Sequence, residues 1–210
     1  TAPAVISNSF PLQTNPRPAC PPSDEPIRFF WFSQTLGPGR GLEPFLRIWA
    51  QLEHHSEVVL LGEDRSSYER QLRALLPEAK QASLQFRPLV TTDELPSVIA
   101  AHDIGLALED ASIRNRDLTI TNKILQYLNA GLAVLATPTA GQREVLAHAP
   151  AVGEFFDPSD SAVALAALRR LTRDRPRMLQ RQQAARHLAA QRYCWEQEEP
   201  KLLDLVARTL

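Results

Sequence analysis

Asn122 and Lys123 open a helical pattern within the run TITNKILQYLNAGLAVLATPTAGQRE, residues 119–144. A helix start presents free N–H groups and the positive end of a dipole. An amide and an ammonium beside it make an anion site suited to phosphate. Thr119 or Thr121 is placed to cap the first turn. A second anion-binding candidate is Gly37-Pro38-Gly39-Arg40-Gly41, which follows an apolar run and precedes a helical one. Glycines let a backbone approach a diphosphate closely, and Arg40 adds a charge-assisted fork. The alternative is a plain strand-to-helix turn. It is not a dinucleotide fingerprint, because the third glycine would have to stand at position 42, which is Leu42. Glu63, at the end of the second apolar run, keeps a dinucleotide reading open. No Asp-x-Asp, His-x-x-His or Cys-x-x-Cys pattern occurs, so no metal is expected. No Gly-x-Ser-x-Gly elbow supports a hydrolase. His54, His55 and His102 read as structural or solvated.

These residues need a scaffold, and the pattern around them supplies one. Ile124, Leu125 and Leu128 share a helical face, Gly131 falls where a left-handed stop belongs, and Leu132 to Ala136 suits a buried parallel strand. Strands are predicted at Phe29 to Ser33, Val58 to Leu61, Leu84 to Phe86, Ile104 to Leu108, Leu132 to Ala136 and Val152 to Phe156. Helices are predicted from Leu42, near Ser66 to Leu76, over Glu94 to Ala101, from Thr121, and over Glu144 to Ala147. From Ser159 onward everything reads as helical, broken near Pro176 and Pro200. Alternation of this kind predicts an α/β fold, a doubly wound parallel sheet of about six strands with helices on both faces. Ligands in such sheets sit at the carboxyl ends of the strands.

The composition bounds the partners. A formal charge of −1 argues against a nucleic-acid binder. No apolar run approaches the ~18 residues of a membrane span, and no signal peptide is legible. Cys20 and Cys194 lie too far apart for a disulfide framework, which favours a reducing, cytoplasmic setting. Residues 1–26 hold seven of the 17 prolines and read as an extended linker to something upstream. Met178 is the sole methionine, consistent with a processed or excised chain. A basic stretch (Arg169, Arg170, Arg173, Arg175, Arg177, Arg181 and Arg186) reads as a solvated helix face, or alternatively as peripheral contact with an anionic membrane surface.

Taken together, these residues resemble the C-terminal domain of GT-B glycosyltransferases of the large retaining group that includes lipopolysaccharide, capsule and mannosyl transferases. FSQTLGPGRG at residues 32–41 is similar to the family's V-G-R-L-x-x-x-K-G, whose two basic residues hold the donor diphosphate; the matching positions are Gln34 and Arg40. ELPSVIAAHDIGLAL at residues 94–108 is similar to E-L-x-x-x-x-x-x-A-D-I-x-L-x-P, and the loop before it, around Val90, matches where the family holds the base. Asn122 to Glu144 is similar to N-K-x-x-E-Y-x-A-x-G-x-P-V-V-A-x-x-x-G-G-x-x-E, with the ribose-binding glutamate falling on Gln126. Val5-Ile6-Ser7-Asn8 is similar to the V-I-P-N-G that enters the interdomain linker. The chain departs from the family at its paired glutamates, seven residues apart there, and carries Leu118 and Gln126 instead. Asp117, Glu109 and Asp110 are nearby carboxylates that could replace the first, and Arg114 and Arg116 are further candidates for the diphosphate.

The resemblance implies a Rossmann-like nucleotide-sugar-binding domain at residues 27–158, preceded by an interdomain linker at 1–26. Helices at 159–210 would complete it and face a missing N-terminal domain. It implies a nucleotide-diphosphate sugar as donor, a glycan or lipid-linked acceptor, and no metal cofactor. Arg40 and Lys123 would be the catalytic cations. Gly37, Gly39, Gln34, Val90, Thr121, Asn122 and Gln126 would hold the donor nucleotide. Two other readings stay open: a non-catalytic nucleotide or sugar-phosphate binding module, and an NAD-dependent oxidoreductase.

Overall fold

A computed structural model describes residues 5–14 and 25–208. Strands β1 (Ile27–Leu36), β2 (Ser56–Asp64), β3 (Leu84–Arg87), β4 (Ile104–Ala107), β5 (Ala133–Ala136) and β6 (Gly153–Phe155) form a parallel sheet in the order β3-β2-β1-β4-β5-β6. Around it run helices α1 (Leu42–Trp49), α2 (Tyr68–Ala74), α3 (Glu78–Gln81), α4 (Leu95–Ala100), α5 (Arg114–Leu118), α6 (Asn122–Ala130), α7 (Ala140–Ala147), α8 (Ser161–Thr172), α9 (Arg175–Arg192) and α10 (Trp195–Ala207). The predicted doubly wound α/β architecture is therefore the observed one. Among the described residues, no helix is long and apolar enough to cross a membrane.

Alternation along β1 builds the two faces. Phe29 and Trp31 enter one buried cluster with Phe45 of α1, Leu72 of α2 and Leu168 of α8. Phe30 enters the other with Ile99 of α4, Ile124 of α6, Val145 of α7 and Ala185 of α9. A strand buried on both faces needs apolar residues at successive positions, which is why β1 and β4 read as continuous apolar runs.

Gly131 ends α6 in the left-handed region at φ 73°, as its position requires. Three local readings change. Helix α5 was not foreseen, because its sequence RNRDL has no apolar face to give a period. Helix α7 begins at Ala140, ahead of the predicted start at Glu144, so Gly141 lies inside it. A Cβ on Gly141 would stand 2.4 Å from the Thr119 carbonyl oxygen, so this glycine serves close approach. Pro176 sits in the first turn of α9, where a helix break was expected, but α10 runs through Pro200. Proline there removes a hydrogen bond to the carbonyl of Glu196, and both residues are exposed.

The expected linker at 1–26 falls largely on residues outside those described, Cys20 among them. Residues 5–14 are docked along α6 and α10. The Trp195 N–H donates to the Phe10 carbonyl at 2.9 Å, Asn129 Nδ2 donates to the Pro11 carbonyl at 2.8 Å, and the Ser7 N–H donates to Glu198 Oε2 at 3.1 Å. The basic stretch is partly consumed inside the fold. Arg181 is 4% exposed and reaches Glu154 at 2.6 Å. Arg170 meets the same carboxylate at 3.0 Å, and Arg186 donates to the carbonyls of Asn129 and Gln13. Those side chains are tied down by tertiary partners that helical periodicity cannot show.

Candidate functional site

Strand order reverses between β1 and β4, so a crevice opens past their carboxyl ends. The β1–β2 register shifts between Phe32 and Thr35, leaving Ser33 and Gln34 out of the ladder at the mouth of that crevice. A cavity of about 670 Å³ lies there, lined by Gln34, Val90, Thr121, Asn122, Lys123 and Gln126 among others. Six residues expected in the site from sequence thus converge on one space. Val90 is positioned by a reciprocal cap just after it. The Thr91 N–H and hydroxyl donate to Glu94 Oε2 at 2.9 and 2.8 Å, and the Glu94 N–H returns to Thr91 Oγ1.

Helix α6 enters this cavity without a side-chain cap. Thr121 holds the N-cap position, yet its side chain caps nothing and its buried Oγ1 has no partner among the described residues. Helices α7, α8 and α9, by contrast, are capped by Thr139, Asp160 and Asp174. The first-turn N–H groups of α6 therefore remain available to an anion. Asn122 Oδ1 accepts from Asn8 Nδ2 at 2.9 Å, which brings the docked N-terminal segment to the site.

Lys123 is only 13% exposed, its Nζ 3.1 Å from Glu109 Oε1 and 5.7 Å from the centre of the Trp31 ring. Glu109 follows β4 and is itself 9% exposed. It also lines a second cavity of about 390 Å³, together with Gly39 of the glycine turn. Gly37 and Arg40 line neither cavity. Among the described residues, no atom other than those of the glycine itself and its chain neighbours lies within 4 Å of where a Cβ on Gly37 or Gly39 would sit, so the turn is open. Arg40, half-buried, makes no ion pair among the described residues. Arg116 of α5 donates to the Gly39 carbonyl and ties the turn to the loop before α6. Leu118 is 60% exposed on α5 and offers no hydrogen bond. Glu63 pairs with Arg65 at 2.6 Å and lines neither cavity.

A polar network behind Glu109 went unread in the sequence. The Glu109 N–H donates to Thr137 Oγ1 at 2.8 Å, and Gln142 Nε2 donates to Thr137 Oγ1 at 3.0 Å and Thr139 Oγ1 at 3.2 Å. Gln142 and Thr139 are fully buried, and Gln142 Oε1 has no partner among the described residues. The available signal was three polar side chains at 137, 139 and 142 around a helix start, which a capping pattern explains equally well. Among the described residues, no three His, Cys, Asp or Glu side chains converge where a metal ion could sit.

A parallel sheet with an uncapped helix start and a lysine at its switch point defines a Rossmann-like domain with a crevice suited to an anion. Residues 28–174 match the family model of glycosyl transferases group 1, and the chain belongs to that family. No curated protein matches its sequence. Among solved structures, it is similar to Anabaena Alr3699/HepE in complex with UDP-glucose, with a TM-score of 0.74 and 16% identity, over 98% of this chain and 57% of that one. It is similar to the C-terminal domain of the group 1 glycosyl transferase LpcC from Francisella tularensis, with a TM-score of 0.66 and 17% identity, over 91% of this chain and 100% of that one. WaaG, a glycosyltransferase of lipopolysaccharide biosynthesis, gives a TM-score of 0.66 and 19% identity over 85% of this chain and 46% of that one. At such identities the likeness is one of fold. The chain spans about half the length of the HepE and WaaG chains.

Proposed function

We propose that this chain is the donor-binding half of a glycosyltransferase that moves a sugar from a nucleotide-diphosphate sugar to a glycan or lipid-linked acceptor, in cell-surface polysaccharide synthesis. The observation that carries the reading is the start of α6. Uncapped N–H groups and Lys123 face the same cavity as Gln34, Val90 and Gln126. Sugar transfer leaves negative charge on the departing diphosphate, and preorganised cations and dipoles stabilise that charge as it develops. Lys123 and the α6 dipole supply this without a metal, and Arg40, which lines neither cavity, would join them from the open glycine turn. Gln126 would accept a ribose hydroxyl through its amide oxygen, and the loop at Val90 would hold the base. HepE structures contain UDP and UDP-glucose, which supports a uridine nucleotide as the first ligand to try. The acceptor, and the rest of the chemistry, would belong to an N-terminal half, with the enzyme in the cytoplasm or at the inner face of a membrane and no nucleic acid involved.

Thermal shift and calorimetry against UDP, GDP, dTDP, ADP and NAD test this. A ligand at about 100 times its Kd adds about 2.7 kcal/mol of stability, a rise of about 5–10 °C for a domain of this size. The expected result is a rise with one nucleoside diphosphate that Lys123→Ala and Arg40→Ala abolish. A rise with NAD alone would return the chain to the oxidoreductase reading. The leucine at 118 and glutamine at 126 favour, as a second reading, a binding module without catalysis. Sugar transfer by the chain joined to its upstream half would separate the two; steady transfer by the chain alone would contradict the half-enzyme reading.

A further inference from the structure

Charge in this chain is segregated. Residues 161–192, which span α8 and α9, hold eight arginines against one carboxylate, Asp174. That is +7 in a chain whose formal charge is −1, so the remaining residues sum to −8. A near-neutral total conceals two poles. Three of the eight arginines are spent within the fold: Arg181 on Glu154, Arg186 on the carbonyls of Asn129 and Gln13, and Arg175 on the Glu25 carbonyl. Arg170 shares Glu154 with Arg181. Arg169, Arg173 and Arg177 are exposed, and their side chains make no hydrogen bond or ion pair among the described residues. Asp174 turns its Oδ1 to the Arg177 N–H at 3.0 Å as the cap of α9.

The turn between the two helices gathers these charges. Arg170, Arg173, Arg175 and Arg177 line one hollow of about 520 Å³ with Asp174 and Pro176. Arg169 and Arg173 stand four residues apart, a spacing at which like charges repel, and an anion lying against them relieves that repulsion. Leu179, 37% exposed and three residues beyond Pro176 on α9, adds an apolar side chain beside the hollow. The corner lies at the amino ends of the strands. Arg175 reaches the Glu25 carbonyl just before β1, Arg181 reaches the Gly153 carbonyl at the start of β6, and Gln182 Nε2 reaches the Asp103 carbonyl just before β4 at 3.3 Å. We infer that this corner is a docking surface for a bilayer that carries anionic lipid headgroups. Guanidinium forks match phosphate oxygens, and the negative potential of such a leaflet attracts clustered arginines. A flat surface can touch the corner alone, and its repulsion of the acidic remainder turns the molecule to present that corner. A molecule resting there keeps its crevice clear, because the crevice opens at the opposite ends of the strands. A single-stranded nucleic acid would call for aromatic platforms along its track, and residues 161–192 contain no Phe, Trp or Tyr.

Flotation of this chain with lipid vesicles tests the surface. The probes are vesicles of phosphatidylcholine alone and of phosphatidylcholine mixed with phosphatidylglycerol. Binding is expected to the mixed vesicles and not to the neutral ones. It should be lost at about 1 M salt, where the Debye length is about 3 Å. Arg169→Ala, Arg173→Ala and Arg177→Ala combined should weaken it about a hundredfold. Arg65→Ala, Arg70→Ala and Arg87→Ala combined remove the same charge from exposed positions elsewhere and should leave binding nearly unchanged. Equal losses in the two triple variants, or no binding to the mixed vesicles at low salt, would overturn the docking surface. So would displacement by millimolar inorganic phosphate at matched ionic strength, which would give the corner to a free anion, or tighter binding to single-stranded RNA than to the vesicles. None of these outcomes touches the nucleotide-sugar reading, which the thermal-shift series tests separately.

Discussion

Lys123 shows how a charged residue is kept near a crevice at small exposure. An ammonium removed from water is costly unless paired, and the Glu109 carboxylate at 3.1 Å supplies the pair. The lysine was legible as a site residue from its place at a helix start. Its partner was less so, because the two come together only when the end of β4 and the start of α6 meet across the crevice. His102 shows the opposite solution. It is 2% exposed, stacks on Phe30 with centroids 4.3 Å apart, and its Nδ1 lies 2.8 Å from the Val98 carbonyl. Burial pushes its pKa down to about 4 from the ordinary 6.5, so the folded state holds it neutral. Between those values the unfolded chain binds the extra proton. The stabilisation is therefore complete above pH 6.5 and is lost as pH falls toward 4. The gap corresponds to about 3 kcal/mol. Urea unfolding of the native chain and of His102→Phe at pH 7.5 and 4.5 should show a steeper acid loss in the native chain; equal losses would contradict the assignment.

Helix α6 and the elements packed around it turn residues into a site. Its start was predicted from polar residues ahead of an apolar period, and the side-chain cap expected from Thr119 or Thr121 is absent. Thr119 Oγ1 instead donates to the Asn115 carbonyl at 2.5 Å, and Thr121 Oγ1 is buried unpaired. A capping hydroxyl would compete with a ligand for the same N–H groups. Helix α7 braces this region through Gly141, packed on the backbone of Thr119 and Ile120. Gly141→Ala would place a methyl 2.4 Å from the Thr119 carbonyl oxygen, and the rigid backbone must move. The expected cost is about 1–3 kcal/mol in urea unfolding, with weaker nucleotide binding than in the native chain. Undiminished stability and binding would show that the 119–121 loop gives way freely. Nothing in the glycine's sequence context separates close approach within a helix from a helix boundary, which is why the helix was predicted to begin only at Glu144.

On the scale of the whole molecule, the parallel sheet places β1, β4 and α6 around one crevice, and the C-terminal helices lock the far edge. Arg181 of α9 is the clasp: it holds Glu154 of β6 at 2.6 Å and donates to the Gly153 carbonyl at 3.1 Å. Arg181→Ala would leave Glu154 paired with Arg170 alone and remove the donor to the Gly153 carbonyl, at a cost of about 1–3 kcal/mol. Arg169→Ala, on an exposed position, should stay within about 0.5 kcal/mol. Equal effects from the two in denaturant titrations would return the basic stretch to a uniformly solvated face.

Resemblance to the family's motifs placed Gln34, Val90 and Gln126, while the residues by themselves determined the α/β class, the strand and helix alternation, the stop at Gly131 and the polar helix start at Thr121, Asn122 and Lys123. Those features depend on period, on glycine and proline, and on local helix chemistry, all of which act over a few neighbouring residues. Tertiary structure alone decided the Glu109–Lys123 pair, the Gln142–Thr137 brace, the burial of Arg181, the docking of residues 5–14 and the close approach at Gly141. Each of these joins groups far apart along the chain or in separate elements. Their energies depend on which strand ends and helix starts the folded sheet brings together and removes from water.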